Sequence, residues 1–292
     1  MNPYLDIRQR KTMRKLIINA DDLGISKEVN QKIEECIKLG CITSSTLMAN
    51  APAFDDGVRI AKQYPQISVG VHLNLIEFSP LTNRDVFTKH GIVGNEGHFI
   101  EGAIFCITID EELKNAVFEE WDAQITKVEQ AGLIPSHCDS HQHTHTIPAL
   151  CDVLCKVLDK HNINHVRLAI VPSVCLILRE KKQPIKHIRN NGAVRPPKRN
   201  FISRRLRFFI LKYKSIRWNH SISNVFSTTH CCYAFRHFYY DSKFLSLGNG
   251  ESTIELMCHP GHKAYQDETD KLMRNKTWLP TNYKLFSYKD LR

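Results

Sequence analysis

The stretch "PSHCDSHQHTH" at 135–145 gathers four histidines, an aspartate and a cysteine. Residues of these types can hold a metal ion, shuttle protons, or simply line a polar loop. Three other places set ionisable groups against apolar runs. Asp21 and Asp22 follow "KLIINA" (15–20), His72 lies within "ISVGVHLNL" (67–75), and His259 closes "STIELMCHPG" (252–261). A structural zinc site needs paired cysteines at short spacing, and the ten cysteines include no CxxC pair. A catalytic metal site needs three protein ligands and an open position for water. One carboxylate and two histidines from different strands supply that set.

Each feature also has a plainer reading. "NADD" after a strand can be a turn or a helix N-cap. A lone histidine in an apolar strand is often a hydrogen-bonded core residue, and "CHPG" can be a strand-ending turn. Residues 137, 141 and 145 are spaced as on one helix face, but Pro135 and the polar composition oppose a helix. On a strand, His137, Asp139, His141, His143 and His145 would share one face. A continuous strand cannot aim all five at one point, so only one or two of them are expected to bind directly.

The elements that must position these groups are readable. "KLIINA" is a β-type run, and "SKEVNQKIEECIKLG" (26–40) a helix with Ser26 as N-cap and Gly40 as its end. "CITSSTLMAN" (41–50) is a strand, "FDDGVRIAKQYP" (54–65) a short helix, and 67–75 a third strand. This is the βαβ rhythm of a parallel sheet, closed or open. Residues 80–110 read as loop, 110–131 as an amphipathic helix closed by Gly132, 148–161 as a helix and "HVRLAI" (165–170) as a strand. In parallel α/β folds, functional groups collect where strands end at their carboxyl side, and all four ionisable clusters stand at such ends.

At 292 residues with 42% apolar composition, the chain affords one large α/β domain or two small ones. No apolar run approaches the roughly 20 residues a membrane-spanning helix needs. There is no apolar leader segment, and several cysteines lie in apolar runs, which reads as reduced, buried thiols in a cytoplasmic protein. The net charge of +10 is concentrated: 172–220 carries fourteen Lys/Arg against Glu180, a local +13 that leaves −3 for the remainder. Residues 172–240 therefore read as a basic, irregular insertion.

Five blocks, "LIINADDLGISKEVN", "GCITSSTLMAN", "VGVHLNL", "HCDSHQHTHTIP" and "ELMCHPG", resemble the YdjC/ChbG family of carbohydrate deacetylases in order and spacing. The resemblance covers 15–165 and 252–265 strongly and 172–250 poorly. It implies a distorted (β/α) TIM-like barrel over 15–292, with 1–14 as an N-terminal extension and the first strand starting near Met13. It further implies a hydrolase that removes acetyl groups from N-acetylated sugars with one divalent metal. Carried onto this chain, the ligands would be Asp22, His72 and His141. Asp21 would be the base that takes a proton from water, and His259 the acid that protonates the leaving amine. Asp139, His143 and His145 would orient ligands or face the substrate. Family usage suggests magnesium, whereas two imidazoles suit zinc.

A competing reading, nucleic-acid binding through the basic segment with Phe208, Phe209, Tyr213 and Trp218, leaves the strand-end histidines unexplained, so no nucleic acid is expected. Within 200–220, Leu206, Phe209, Ile210, Tyr213 and Ile216 would form one helical stripe. Such a basic helix would pack on the barrel or rest on the inner, anionic face of a membrane, near a lipid-linked amino sugar. A homodimer is compatible with all of this.

Overall fold

The computed structural model of the chain describes residues 14–82, 84–168, 213, 215–234, 253–274 and 283–291. The expectations for the N-terminal extension, up to residue 13, and for most of the basic segment lie outside these residues. Strands β1 (Arg14–Leu23), β2 (Ser44–Leu47), β3 (Ser68–Leu73), β4 (Cys138–Ser140), β5 (His165–Arg167), β6 (Ser227–Ala234), β7 (Thr253–Cys258) and β8 (Tyr283–Leu285) form one sheet. Each strand from β1 to β7 pairs in parallel with the next, and β7 pairs back onto β1. The ring of pairings closes, and β8 joins the first half of β1. This is the distorted TIM-like barrel expected from the sequence.

Helices α1 (Lys27–Lys38), α2 (Phe54–Gln63), α4 (Glu111–Gln130) and α5 (Cys151–Lys160) fall within the stretches predicted for them. Ser26 caps α1, its side chain accepting from the Val29 N–H at 3.2 Å, and Val29, Ile33, Cys36 and Ile37 are buried. Asp110 caps α4 in the same way, accepting from Leu113 N–H at 2.9 Å. Within the stretch predicted as loop lies a short helix α3 (Arg84–Lys89), and α6 (Gln266–Met273) follows β7.

The strands alternate with period two, as pleating requires. On the outer face Leu16, Ile18, Ala20, Leu47, Val69, Val71, Leu73, Cys138, Val166, Ile254 and Leu256 join the apolar core shared with the helices. The alternate positions point into the barrel, and most of them are polar. Asn19, Asp21, Thr46, His72, His137, Asp139, Arg167, Thr229 and Glu255 are all buried there. Gly70 lies directly beside His137 on the neighbouring segment of the sheet. A Cβ at Gly70 would collide with the carbonyl and ring of His137, so the barrel has room only for glycine.

One sequence expectation is corrected. The strand at 138–140 ends at Ser140, and His141–Thr146 form a tight 3-10 turn in which Gln142 (φ 49°) and His143 (φ 60°) are left-handed. The five-residue alternation therefore breaks after Asp139, because the chain turns across the barrel mouth. Near the end of the basic segment, residues 215–223 are helical. Trp218 and Ile222 are buried there, whereas Ile216 and the nearby Tyr213, the two stripe residues among those described, are exposed. The Trp218 ring meets the His145 ring edge-on at 5.6 Å, so it is not available to stack on a base.

Candidate active site at the carboxyl ends of the strands

The site begins with an irregularity in β1. Consecutive strand residues normally face opposite sides. Here the register between β1 and β2 shifts between Ala20 and Leu23, and Asp22 adopts φ 68°. The bulge turns both Asp21 and Asp22 to the barrel mouth. A left-handed, non-glycine residue carries backbone strain, which is held here by the contacts of its side chain.

Those contacts converge. One Asp22 oxygen lies 3.1 Å from His72 Nε2 and 2.9 Å from His141 Nδ1, and the other lies 3.0 Å from His262 Nε2. The far sides of the His72 and His141 rings each face a second carboxylate. His72 Nδ1 is 2.6 Å from Asp139 Oδ1, and His141 Nε2 is 3.6 Å from Glu77 Oε1. Burial works against charge on Asp22, but His141 and the hydrogen bonds from the three imidazoles hold its carboxyl well below the usual range. Burial also lowers the affinity of His72 for a proton, yet Asp139 and Asp22 raise its pKa to about 10. His141 is raised by Asp22 and Glu77 to about 9 in the same way.

Asp22, His72 and His141 offer one carboxylate oxygen and two imidazole nitrogens within 4.8 Å of one another. The Asp139 carboxylate on the outer nitrogen of His72 fixes its tautomer and orientation, an arrangement characteristic of metal-binding histidines, and Glu77 stands near the outer nitrogen of His141. The donor set and its supports fit a divalent cation. A second cluster, His90, Asp110 and Glu112, lies on the surface. Its members are already engaged, His90 with Asp110 and Glu112 with Lys89.

Asp21 sits beside this set under different control. The Arg167 guanidinium grips it with two bonds of 2.6 and 2.7 Å, and Asn19 Nδ2 donates at 2.8 Å. Burial alone would raise the Asp21 pKa, but Arg167 brings it far below the ordinary carboxylate value. Arg167 is fully buried and also contacts Asp139 and Glu255, each at 2.6 Å. A charge so far from water is tolerated only with this degree of pairing. Burial disfavours charge on His259 too, but Glu268, 3.5 Å from Nδ1, raises its pKa. The His259 ring stacks on Tyr265, and its Nε2 stands 4.0 Å from Asp21.

The structure thus brings together Asp21, Asp22, His72, His141 and His259. His143 is half-buried at the mouth, its pKa lowered to about 4 by burial and by Arg167. Asp139 and His145 lie deeper than a substrate-facing role requires. Asp139 bonds His72, Thr46 and Arg167 within the lumen. His145 uses one ring nitrogen on Ser140 Oγ at 2.5 Å and the other on the Arg167 carbonyl at 3.1 Å. Both residues hold the site's framework.

Sequence reasoning missed His262, Arg167, Glu255, Glu77 and Thr46. For His262 the signal was present, a second histidine three residues after His259 in "CHPGHK". Gly261, left-handed at φ 85° and pressed against α1, turns it back toward Asp22.

Fold and site together define a parallel α/β barrel with a carboxylate–imidazole centre, suited to a cation, at the carboxyl ends of its strands. The chain belongs to the YdjC-like protein family, whose profile matches residues 15–289, and the resemblance read from the sequence is confirmed. Three relatives named "Carbohydrate deacetylase" are similar to about half of it. Those of Halalkalibacterium halodurans and Clostridium beijerinckii are 35% and 37% identical over 150 and 153 residues, and that of Brevibacillus brevis is 38% identical over 150. Each match spans 51% of this chain and 62%, 58% and 57% of the respective relative, so the chain covers under two thirds of their length. A crystal structure from Enterococcus faecalis V583, of a protein provisionally assigned to cellobiose-phosphate cleavage, shares the fold. Its TM-score is 0.68 at 23% identity, over 96% of this chain and 99% of that one.

Proposed function

We propose that this protein is a metal-dependent hydrolase that removes the acetyl group from an N-acetylated carbohydrate. The observation that carries the reading is the convergence of His72 and His141 on one oxygen of Asp22, with Asp21 next to it under separate control by Arg167. The names of the relatives support the substrate class. A divalent cation, zinc or magnesium, held by Asp22, His72 and His141 would supply Lewis-acid polarisation of the amide carbonyl and acidification of water.

The chain's own residues divide the proton transfers. Asp21, kept ionised by Arg167, accepts the proton lost by the attacking water. His259, whose proton is favoured by Glu268, donates to the nitrogen of the departing amine. The C–O bond forms, the C–N bond breaks, and acetate and a free amino sugar leave. His143, neutral at the mouth, is placed to orient the substrate's hydroxyl or carbonyl groups.

Among the described residues no helix is long and apolar enough to cross a membrane. The proposed contact of 200–220 with an anionic membrane surface is a separate reading that the site does not need.

The test is acetate release from a panel of N-acetylated sugars, oligosaccharides and glycolipids, with and without chelator. Release that is abolished by chelation and restored by a divalent cation is expected. Release that persists after complete metal removal, or none from any member of the panel, refutes the proposal.

A further inference from the structure

The turn near the end of the chain reaches the base of the site by two routes. Tyr288 is buried at the floor of the barrel, in the 3-10 turn Tyr288–Leu291. Its hydroxyl donates to Glu255 Oε2 at 2.6 Å, and the Thr229 hydroxyl donates to the same oxygen at 2.9 Å. The other Glu255 oxygen accepts from Arg167 Nε at 2.8 Å, and the fork of Arg167 holds Asp21. On the second route the Tyr288 ring stacks on His137 with centroids 3.6 Å apart and planes 8° apart. His137 Nε2 lies 3.1 Å from Asn19 Oδ1, and Asn19 Nδ2 donates to Asp21.

Both routes end on the same Asp21 carboxylate. The turn itself is anchored: Lys289 N–H donates to Ser68 Oγ at 2.9 Å, and its Nζ to the Pro65 and Ile67 carbonyls. Burial and the Glu255 charge keep the Tyr288 hydroxyl protonated, so it remains a donor.

We propose that Tyr288 is a positioning residue for catalysis, which fixes the Asp21 carboxylate through Glu255–Arg167 and through His137–Asn19. The inference rests on the reading of Asp21 as the catalytic base. Without the Tyr288 hydroxyl, Glu255 loses a donor, and its carboxylate shifts toward the remaining Arg167 and Thr229 partners. The guanidinium follows, and the fork on Asp21 loosens. Asp22, His72 and His141 are not on this path; Arg167 reaches them only through Asp139, which keeps its own bonds to His72 and Thr46, so cation binding should change little.

The experiment compares four full-length, metal-loaded proteins: wild type, Tyr288→Phe, Asp21→Asn and the double variant. It reads kcat, KM, bound metal and the melting temperature on a soluble N-acetylated sugar that the wild type hydrolyses. Tyr288→Phe keeps the ring on His137 and removes only the hydroxyl. Its kcat should fall about tenfold, the order of one lost hydrogen bond to a charged group. KM and bound metal should stay within about twofold of wild type, as expected when only a transition-state interaction is lost. In the Asp21→Asn background the same change should alter the residual kcat by less than about twofold, because a group that acts through Asp21 has nothing left to position.

A Tyr288→Phe kcat within about twofold of wild type overturns the inference, as does an equal fractional loss in both backgrounds, which would mark a purely structural role. Should Tyr288→Phe melt below the assay temperature, Glu255→Gln, which keeps the shape and removes the charge, is put through the same cycle with the same criteria. Near-normal turnover by Asp21→Asn would refute the base assignment itself. Loss of turnover in Asp21→Asn with full activity in Tyr288→Phe refutes only the positioning role.

Discussion

Replacing Arg167 with methionine keeps much of the side-chain volume and deletes the cation that contacts all three of Asp21, Asp139 and Glu255 in the lumen. All four residues are buried. Breaking one buried ion pair by removing a partner typically costs about 3–5 kcal/mol, because the surviving charge is stranded. Here three carboxylates lose a partner at once, although Asp139 keeps His72 and all three can relieve the penalty by taking up protons. A loss of about 4 kcal/mol at pH 7.5 follows, a large part of the roughly 5–15 kcal/mol that holds a typical protein folded. The pH dependence gives the sharper test. In the native protein the Asp21 pKa lies below its unfolded value. Its contribution is therefore complete above the unfolded value of about 3.9 and is lost as pH falls through the folded one. In Arg167→Met burial is opposed only by the more distant His72 and His259 charges, so the folded Asp21 pKa rises from its native value past the unfolded one. The variant then loses stability as pH rises through those values. The gap between the two proteins should be widest near pH 7.5 and narrower at pH 5. Urea unfolding at both pH values, with chelator present to exclude stabilisation by bound cations, measures it. A loss below about 1 kcal/mol at pH 7.5, or one equal at the two pH values, would show that Arg167 does not neutralise the lumen.

Three further outcomes follow from the same geometry. His141→Ala should lose far more bound metal than His145→Ala, measured after dialysis against metal-free buffer; equal losses would remove His141 from the ligand set. Glu268→Gln should move the alkaline limb of the kcat–pH profile toward lower pH, since Glu268 sustains the proton on His259 above its ordinary pKa; an unmoved limb assigns the acid elsewhere. Gly70→Ala should destabilise the protein by about 1–3 kcal/mol in urea unfolding, because its methyl group would meet His137 backbone and ring; a neutral substitution would mean that the lumen has slack there.

Much of this architecture is legible in the chain, because local rules and the global fold agree. Ser26 and Asp110 cap their helices, Gly132 follows α4, and the first three strands show their apolar outer faces. The ionisable clusters at strand ends were readable from the residues, while the choice of Asp22, His72 and His141 among them was what the family resemblance implied. The turn at 141–146 was not: its left-handed residues are Gln142 and His143, and neither is a glycine that would announce it. Strand β6, rich in threonine and cysteine, lacks the aliphatic pattern of its neighbours, and β8 has only three residues. Arg167 is the hardest case. An arginine at the end of a three-residue strand looks exposed, and its burial is decided by partners at positions 21, 139 and 255. Tyr288 is hidden for the same reason, since its phenol and ring are matched to residues far away along the chain.

A lumen filled with ion pairs also governs the order in which the barrel can assemble. The Arg167–Asp21 pair spans 146 positions, the His137–Asn19 contact 118, and the Arg167–Glu255 pair 88. A nascent chain that has reached only β5 would hold Asp21, Asp139 and Arg167 near one another but still lack the β7 strand that seals β1. Loop closure over such separations is slow, and it brings little reward until the last partner arrives. Closure of the ring must await β7, and the early strands must remain soluble in the interim. The same polar lumen serves that need. Before closure its inward faces present carboxylates, imidazoles and hydroxyls to water instead of sticky aliphatic surface, which protects the unfinished sheet from association with other chains.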